Sequence, residues 1–286
     1  MLNSEVEDQH IGFEKIPVTP KPPALISYNM VHKLECKEKR QISLPTAAAD
    51  QGPSGNSAGA GDPPQVKYEW QSPSMMIVFE GGDLNSARHH LLASLHDPFG
   101  KNAVATVLIQ ESVRDEFNEL LVENMHPLDP QVYQHPNYLR SRQKLLQFKA
   151  ETIVGDPEVV PDHATPVIVC DISHTFFGDE PTGIVTMHTF RTPKDATQVN
   201  QKETIKYGAV SIWNEKVASA YEICALLKNE IFMLNCFNVD LTPILPKDDL
   251  GPTNDVKVEK GYHYERLTIN QKRKIIVFAV GTIFAN

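Results

Sequence analysis

Met75-Met76-Ile77-Val78-Phe79-Glu80-Gly81-Gly82-Asp83-Leu84-Asn85-Ser86-Ala87 is the stretch on which the reading of the fold turns. Met75 to Phe79 is an unbroken apolar run of strand length, long enough to be buried on both faces. From Leu84 the pattern changes. Leu84, Ala87, Leu91, Leu92 and Leu95 recur at spacings of three and four, which places them on one face of a helix. Val104 to Ile109 is a second apolar strand, and Val113, Phe117, Leu120 and Leu121 mark a second amphipathic helix.

The alternation continues downstream. His126-Pro127, Asp129-Pro130 and His135-Pro136 read as turns around a short basic helix near Tyr138 to Phe148. Pro166 to Cys170 and Ile184 to Phe190 are strands. Thr192-Pro193-Lys194-Asp195 opens a helix: Thr192 caps, Pro193 suits the first helical position, and Asp195 completes a capping box. Val210 to Trp213 is a strand, Val217, Ala220, Tyr221, Cys224 and Leu227 line a helix, and Ile231 to Leu234 is the next strand. Strands separated by helices imply parallel pairing with helices packed on the faces. The expected class is α/β, a largely parallel sheet flanked by helices. After a loop from Pro246 to Pro252, Lys274 to Phe284 is a β-branched run with no partner in the local sequence. It is expected to pair elsewhere in the fold or across an interface.

Residues 1–67 follow other rules. Pro17, Pro20, Pro22 and Pro23 break any helix early, and Thr46 to Pro64 is small and polar without periodicity. That composition reads as a flexible linker, since neither an apolar strand before its glycines nor a Gly-Lys-Ser/Thr ending marks a phosphate loop. Three parts result: an irregular arm with its linker (1–67), an α/β body (68–245), and a C-terminal loop and strand (246–286).

Composition narrows the class of function. The 286 residues are 41% hydrophobic and 22% charged, as in globular proteins with a sizeable core. Thirty-six acidic against 27 basic residues give a net charge of −9, which opposes general affinity for nucleic acid or an anionic membrane. Arg140-Ser141-Arg142-Gln143-Lys144 lacks the aromatic stacking groups of a nucleic-acid site and reads as a solvated helix face. Cys36, Cys170, Cys224 and Cys236 make no Cys-x-x-Cys pair and no zinc spacing, and their sparseness fits a reducing compartment. The acidic start has no secretory or transit character, and the longest apolar run, Ile275 to Phe284, is too short to cross a bilayer as a helix. A cytoplasmic protein without a membrane partner is expected.

Three blocks in this body resemble the catalytic domain of aldehyde dehydrogenases. The first runs from Glu69 to Phe117 and contains the opening stretch and Val107-Leu108-Ile109-Gln110-Glu111-Ser112. The second is Ile184 to Ala196, similar to the strand and helix start that follow the family's Glu-Ile-Phe-Gly-Pro motif. Its Phe190-Arg191-Thr192-Pro193-Lys194 run resembles the divergent family-sixteen branch. The third is Tyr207-Gly208-Ala209-Val210-Ser211-Ile212-Trp213 with Phe232-Met233-Leu234-Asn235-Cys236, similar to a Tyr-Gly strand and a later Trp-x-Asn segment. The implied fold is a reduced aldehyde dehydrogenase catalytic domain.

The resemblance also implies where chemistry would sit. Family members use a cysteine thiolate as nucleophile, pass a hydride to NAD, and activate water with a glutamate. The nucleophile's Gly-Gln-x-Cys-x-Ala turn corresponds to Pro98-Phe99-Gly100-Lys101-Asn102-Ala103, which puts Lys101 at the nucleophile position. The general-base motif Glu-Leu-Gly-Gly-Lys-Ser corresponds to Glu69-Trp70-Gln71-Ser72-Pro73-Ser74. Glu69 matches, while Gln71 and Ser72 replace glycines that let the backbone approach the cofactor. The ribose-orienting motif corresponds to Asp179-Glu180-Pro181-Thr182-Gly183, with an acid kept at Asp179. No Gly-rich strand-to-helix turn precedes Glu69, so the family's dinucleotide-binding domain is not evident. The expectation is a catalytically degenerate relative with no cofactor, acting as a homo-oligomer or as the partner of an intact relative. The alternative is an active NAD(P)-dependent oxidoreductase of aldehydes with a relocated nucleophile, for which Cys236 is the candidate. No metal site is expected: His89 and His96 lie two turns apart and read as a solvated or packed helix face, together with His90.

Overall fold

In the computed structural model, which describes residues 73–178, 180–245 and 254–282, the opening stretch is a strand followed by a helix. Strand β1 is Ser74–Val78 and helix α1 is Leu84–His96. Then come β2 (Val104–Gln110), α2 (Arg114–Val122), the short α3 (Pro130–Tyr133), α4 (Pro136–Leu145), β3 (Thr152–Val154), β4 (Val167–Cys170) and β5 (Val185–Phe190). The remainder is α5 (Pro193–Lys202), β6 (Ala209–Trp213), α6 (Val217–Leu226), β7 (Ile231–Leu234), β8 (Asp255–Glu259), β9 (Tyr262–Ile269) and β10 (Lys272–Ala279).

Among the described residues the strands form one sheet in the order β3-β4-β5-β2-β1-β6-β7-β10-β9-β8. From β4 to β10 every neighbouring pair is parallel, and the pairs at the two ends, β3 with β4 and β10 with β9 with β8, are antiparallel. Alternation within β1 explains the layering. Met76 and Val78 pack with Leu91, Leu95, Phe117 and Leu121, so α1 and α2 cover one face. Met75 and Ile77 pack with Ala196, Ala220 and Ile223, so α5 and α6 cover the other. Burial on both faces is why the central strands are continuous apolar runs. Each fully buried aliphatic side chain stabilises the fold by about 1.5–3 kcal/mol. The capping box of α5 forms as its sequence prescribes: the Asp195 amide donates to Thr192 Oγ1 at 3.2 Å and the Thr192 amide to Asp195 Oδ2 at 3.1 Å.

The chain reverses its winding between β1 and β6. From β1 it passes through α1 to β2 on one side, whereas from β5 it crosses through α5 to β6 on the other. The β1–α1 turn approaches β6 closely. A Cβ on Gly82 would lie 2.5 Å from Trp213 O, so only glycine fits there.

Two expectations are corrected. The C-terminal part, read as a loop and one strand over 246–286, holds three strands, and the last apolar run has a local partner after all. β10 pairs antiparallel with β9 on one side and parallel with β7 on the other. Tight turns close this meander, with Lys260 and Gly261 at φ 51° and 82°, and Asn270 and Gln271 at φ 51° and 62°. Strand β3 also falls in a region read as turns. The physical reason is shared: β3, β8 and β9 lie at the sheet's ends and are largely exposed or half-buried, so they lack the apolar runs that mark central strands. The predicted linker, 46–64, lies outside the described residues.

Candidate functional site

Lys101 lies in the turn between α1 and β2, at the amino-terminal edge of the parallel strands. The turn is well tied. The Gly100 amide donates to Asp97 O at 3.2 Å, and the Ser74 amide donates to Ala103 O at 2.8 Å. Ser74 Oγ donates to Asn102 O at 2.8 Å, and Asn102 Nδ2 to Asn238 Oδ1 at 3.4 Å. Asn102 takes a left-handed conformation, φ 59°, which asparagine tolerates better than most residues. A Cβ on Gly100 would meet Asp97 Oδ2 at 2.3 Å, so glycine suits that position sterically. The result is an ordered turn with Lys101 exposed and without a polar partner among the described residues. Glu69 and Asp179, the two other positions implied by the resemblance, lie outside the described residues.

The described cysteines are all buried: Cys170 at 4% exposure, Cys224 at 0% and Cys236 at 8%. Burial pushes the Cys236 thiol up to about 12 and its Sγ donates to Val277 O at 3.5 Å. Burial, with the Glu151 carboxylate adding to it, raises Cys170 to about 11, and burial also raises Cys224. The histidines of α1 part company: His89 is exposed, while His90 is 3% exposed and stacks on Phe237 with ring centroids 4.2 Å apart. No group of three His, Cys, Asp or Glu side chains among the described residues is placed to hold a metal ion. No described helix is long and apolar enough to cross a membrane.

A buried polar network runs beside these features, and no sequence motif announced it. Tyr207 OH donates to Thr106 Oγ1 at 2.8 Å, Thr106 and Thr186 hydroxyls are 3.0 Å apart, and His174 Nδ1 lies 3.2 Å from Thr186 Oγ1. Thr182 Oγ1 meets the other His174 nitrogen at 3.1 Å. Glu203, with 1% of its side chain exposed, accepts from Ser173 Oγ and the His174 amide, both at 3.1 Å, and lies 3.3 Å from His188 Nε2. Burial works to raise its carboxyl, but the nearby His188 ring and the hydrogen bonds from Ser173 and the His174 amide prevail and hold it below the usual range. His174, Thr106 and Thr186 are fully buried, so the network fastens the loop after β4 beneath α5 without facing a substrate. Its members come from positions 106 to 207, brought together only by the fold.

Comparison with known proteins adds three findings. Residues 69–284 match the family described as protein of unknown function (DUF1487). A curated relative from Acinetobacter baylyi, (Z)-2-((N-methylformamido)methylene)-5-hydroxybutyrolactone dehydrogenase, is 25% identical over 214 residues, covering 65% of this chain and 42% of its own. Among solved structures, lactaldehyde dehydrogenase from Escherichia coli is 14% identical with a TM-score of 0.47, covering 61% of this chain and 40% of that one. Betaine aldehyde dehydrogenase from Staphylococcus aureus is 17% identical with a TM-score of 0.47, covering 61% and 39%. The aldehyde dehydrogenase resemblance read from the sequence is met again in these relatives, and the chain spans less than half of their length.

Proposed function

The chain belongs to the DUF1487 family, and from that premise we propose that it is a catalytically degenerate aldehyde dehydrogenase-like protein that acts by self-association or by binding a partner. The observation that carries this reading is Lys101, an exposed amine at the position where the resemblance implies a thiolate. An ammonium has no lone pair with which to attack a carbonyl. A lysine becomes a nucleophile through burial or an adjacent cation, and Lys101 is exposed on an ordered turn.

The alternative, an active enzyme with a relocated nucleophile, needs a thiol that ionises near neutral pH. The described thiols, Cys236 included, are buried and shifted away from ionisation. A dinucleotide also fits poorly at the starts of α1, α2, α5 and α6. Carboxylates stand at three helix starts, Asp83 as the N-cap of α1, Asp115 with Glu116 in the first turn of α2 and Asp195 in that of α5, where a pyrophosphate needs bare amides. Helix α6 starts at Lys216 without a side-chain cap, but Trp213-Asn214-Glu215 before it offers no glycine for close approach.

Light scattering of the purified chain, alone and mixed with a full-length aldehyde dehydrogenase from the same source, tests the binding half of this reading. More than one chain per particle, or a mixed particle, is the expected result. A monomer in both samples contradicts it.

A further inference from the structure

The carboxyl edge of the sheet, opposite the edge that carries Lys101, holds a pocket of about 170 Å³ on the side covered by α5 and α6. It lies between Gly81 after β1, Gln110 at the end of β2, and Asn214, Lys216 and Ser219 at the start of α6. Open α/β sheets receive ligands outside the carboxyl ends of their strands, beside a reversal of winding, and β1 and β6 form that reversal here. Drug-sized ligands occupy about 300–1,000 Å³, so this pocket admits a single small group.

The hydrogen bonds around this pocket leave donors over. Helix α6 has no side-chain cap, and the amides of Val217, Ala218 and Ser219 have no acceptor among the described residues. Both carboxamides on the lining are pinned through their oxygens. Gln110 Oε1 accepts from the Glu80 amide at 3.0 Å, and Asn214 Oδ1 from the Lys216 amide at 2.9 Å. Their NH2 groups have no acceptor among the described residues. Asn214 is the telling member, because it is 2% exposed and buried polar groups are nearly always paired. Its backbone amide and carbonyl are both bound to the Asn235 side chain, at 2.8 and 2.9 Å, so Nδ2 is the polar atom that remains. Unlike Trp213 Nε1 or Asn137 Nδ2, Asn214 Nδ2 is not sealed from solvent. The carboxamide lies between two other lining residues: its Oδ1 bonds the Lys216 amide and stands 3.5 Å from where a Cβ on Gly81 would be. Lys216 Nζ and Ser219 Oγ also have no partner among the described residues. The other charged groups on the lining are engaged, Arg191 with Glu111 and Glu80 with Ser112 Oγ at 3.1 Å.

We propose that this pocket binds a phosphate group, free or as the monoester of a small molecule. The bare amides and the positive end of the α6 dipole favour an anion. The donors come from β2, the β6–α6 turn and α6 itself, and a tetrahedral anion presents oxygens in that many directions where a planar carboxylate does not. One oxygen accepts from the α6 amides, another from Asn214 Nδ2, and Lys216 supplies the countercharge. A dinucleotide is too large for the pocket, whereas a single phosphate reaches the amides end-on. The site is separate from the Lys101 turn and does not depend on whether that turn is catalytic.

The test is a titration of the full chain with inorganic phosphate at constant pH and ionic strength, with chloride as the balancing anion, followed by backbone amide resonances. Saturable shifts of Val217, Ala218 and Ser219, half-complete below about 20 mM phosphate, are expected. Methyl phosphate separates the two sources: binding at least as tight as phosphate assigns the pocket to an ester, weaker binding assigns it to the free ion, and either supports the proposal. Asn214→Asp keeps the acceptor for the Lys216 amide and turns the free donor into an anion, so it should weaken phosphate at least about tenfold. The exposed substitution Lys216→Gln, which leaves the core untouched, should weaken it about threefold. Half-saturation above about 20 mM overturns the proposal. So do shifts that chloride alone reproduces, or unchanged affinity in either variant when folded.

Discussion

Lys101 is the residue on which the proposed loss of chemistry rests. Because the residue is exposed and makes no polar contact among the described residues, Lys101→Ala should change stability by no more than about 0.5 kcal/mol in urea unfolding. A loss several times larger would show that the amine is engaged. Lys101→Cys should yield a thiol that mass-mapped labelling finds reactive in the native state, while Cys170, Cys224 and Cys236 react only after unfolding. Rapid native labelling of Cys236 would revive it as a nucleophile. Two buried histidines set the response to acid. Burial lowers His174 to about 4, against an opposing pull from Glu203, and burial with His89 nearby lowers His90 to about 3, both from 6.5. Each ring is neutral in the fold and takes up a proton on unfolding. Stability is therefore full above pH 6.5 and is lost as pH falls toward 4 and 3, by up to about 1.4 kcal/mol per pH unit for each ring. His90→Phe should flatten the fall of the unfolding midpoint between pH 6.5 and 4, since Ser211 retains a contact with Met75 O. An unchanged slope would assign the acid response elsewhere.

The elements differ in how openly the sequence declares them. Central strands such as β1 and β2 are buried almost throughout, so their apolar runs stand out, and α5 announces itself through Thr192, Pro193 and Asp195. β8 and β9 do not, because Val256 to Glu259 of β8 are exposed and β9 is half-buried along most of its length, with Tyr264 buried, so neither needs an apolar run. The joint between this meander and the body was equally hidden. Lys274 of β10 is 1% exposed, and its Nζ donates to Leu227 O at 2.7 Å and Asn229 O at 2.6 Å, at the carboxyl end of α6. A lysine in an apolar strand gives no hint that it satisfies a helix end. Lys274→Met leaves those carbonyls without their donor and should cost about 1–3 kcal/mol in urea unfolding. A neutral result would mean that other groups satisfy them. Gly82→Ala places a methyl against Trp213 O and should cost about 1–3 kcal/mol by the same measurement, whereas full stability would mean the β1–α1 turn yields freely.

Over the whole molecule the α/β class and its helical layers were legible, because period and burial act locally along the chain. The sites were less so. Of the positions implied by resemblance, Lys101 is placed on an exposed turn, while Glu69 and Asp179 lie outside the described residues. The pocket at the carboxyl edge draws on positions 81, 110, 214, 216 and 219, and the buried network on 106, 174, 186, 203 and 207. Neither set has a spacing that a linear reading detects, since topology alone assembles them. The layered, largely parallel sheet is the α/β class expected from the sequence, and the proposed loss of chemistry rests on Lys101. The most direct measurement is NADH or NADPH formation by the purified full chain with saturating NAD or NADP and a panel of aliphatic and aromatic aldehydes. The account predicts no turnover above the uncatalysed rate, in the native chain and in Lys101→Ala alike. Sustained turnover that Lys101→Ala abolishes, or that a cysteine substitution abolishes, would contradict it.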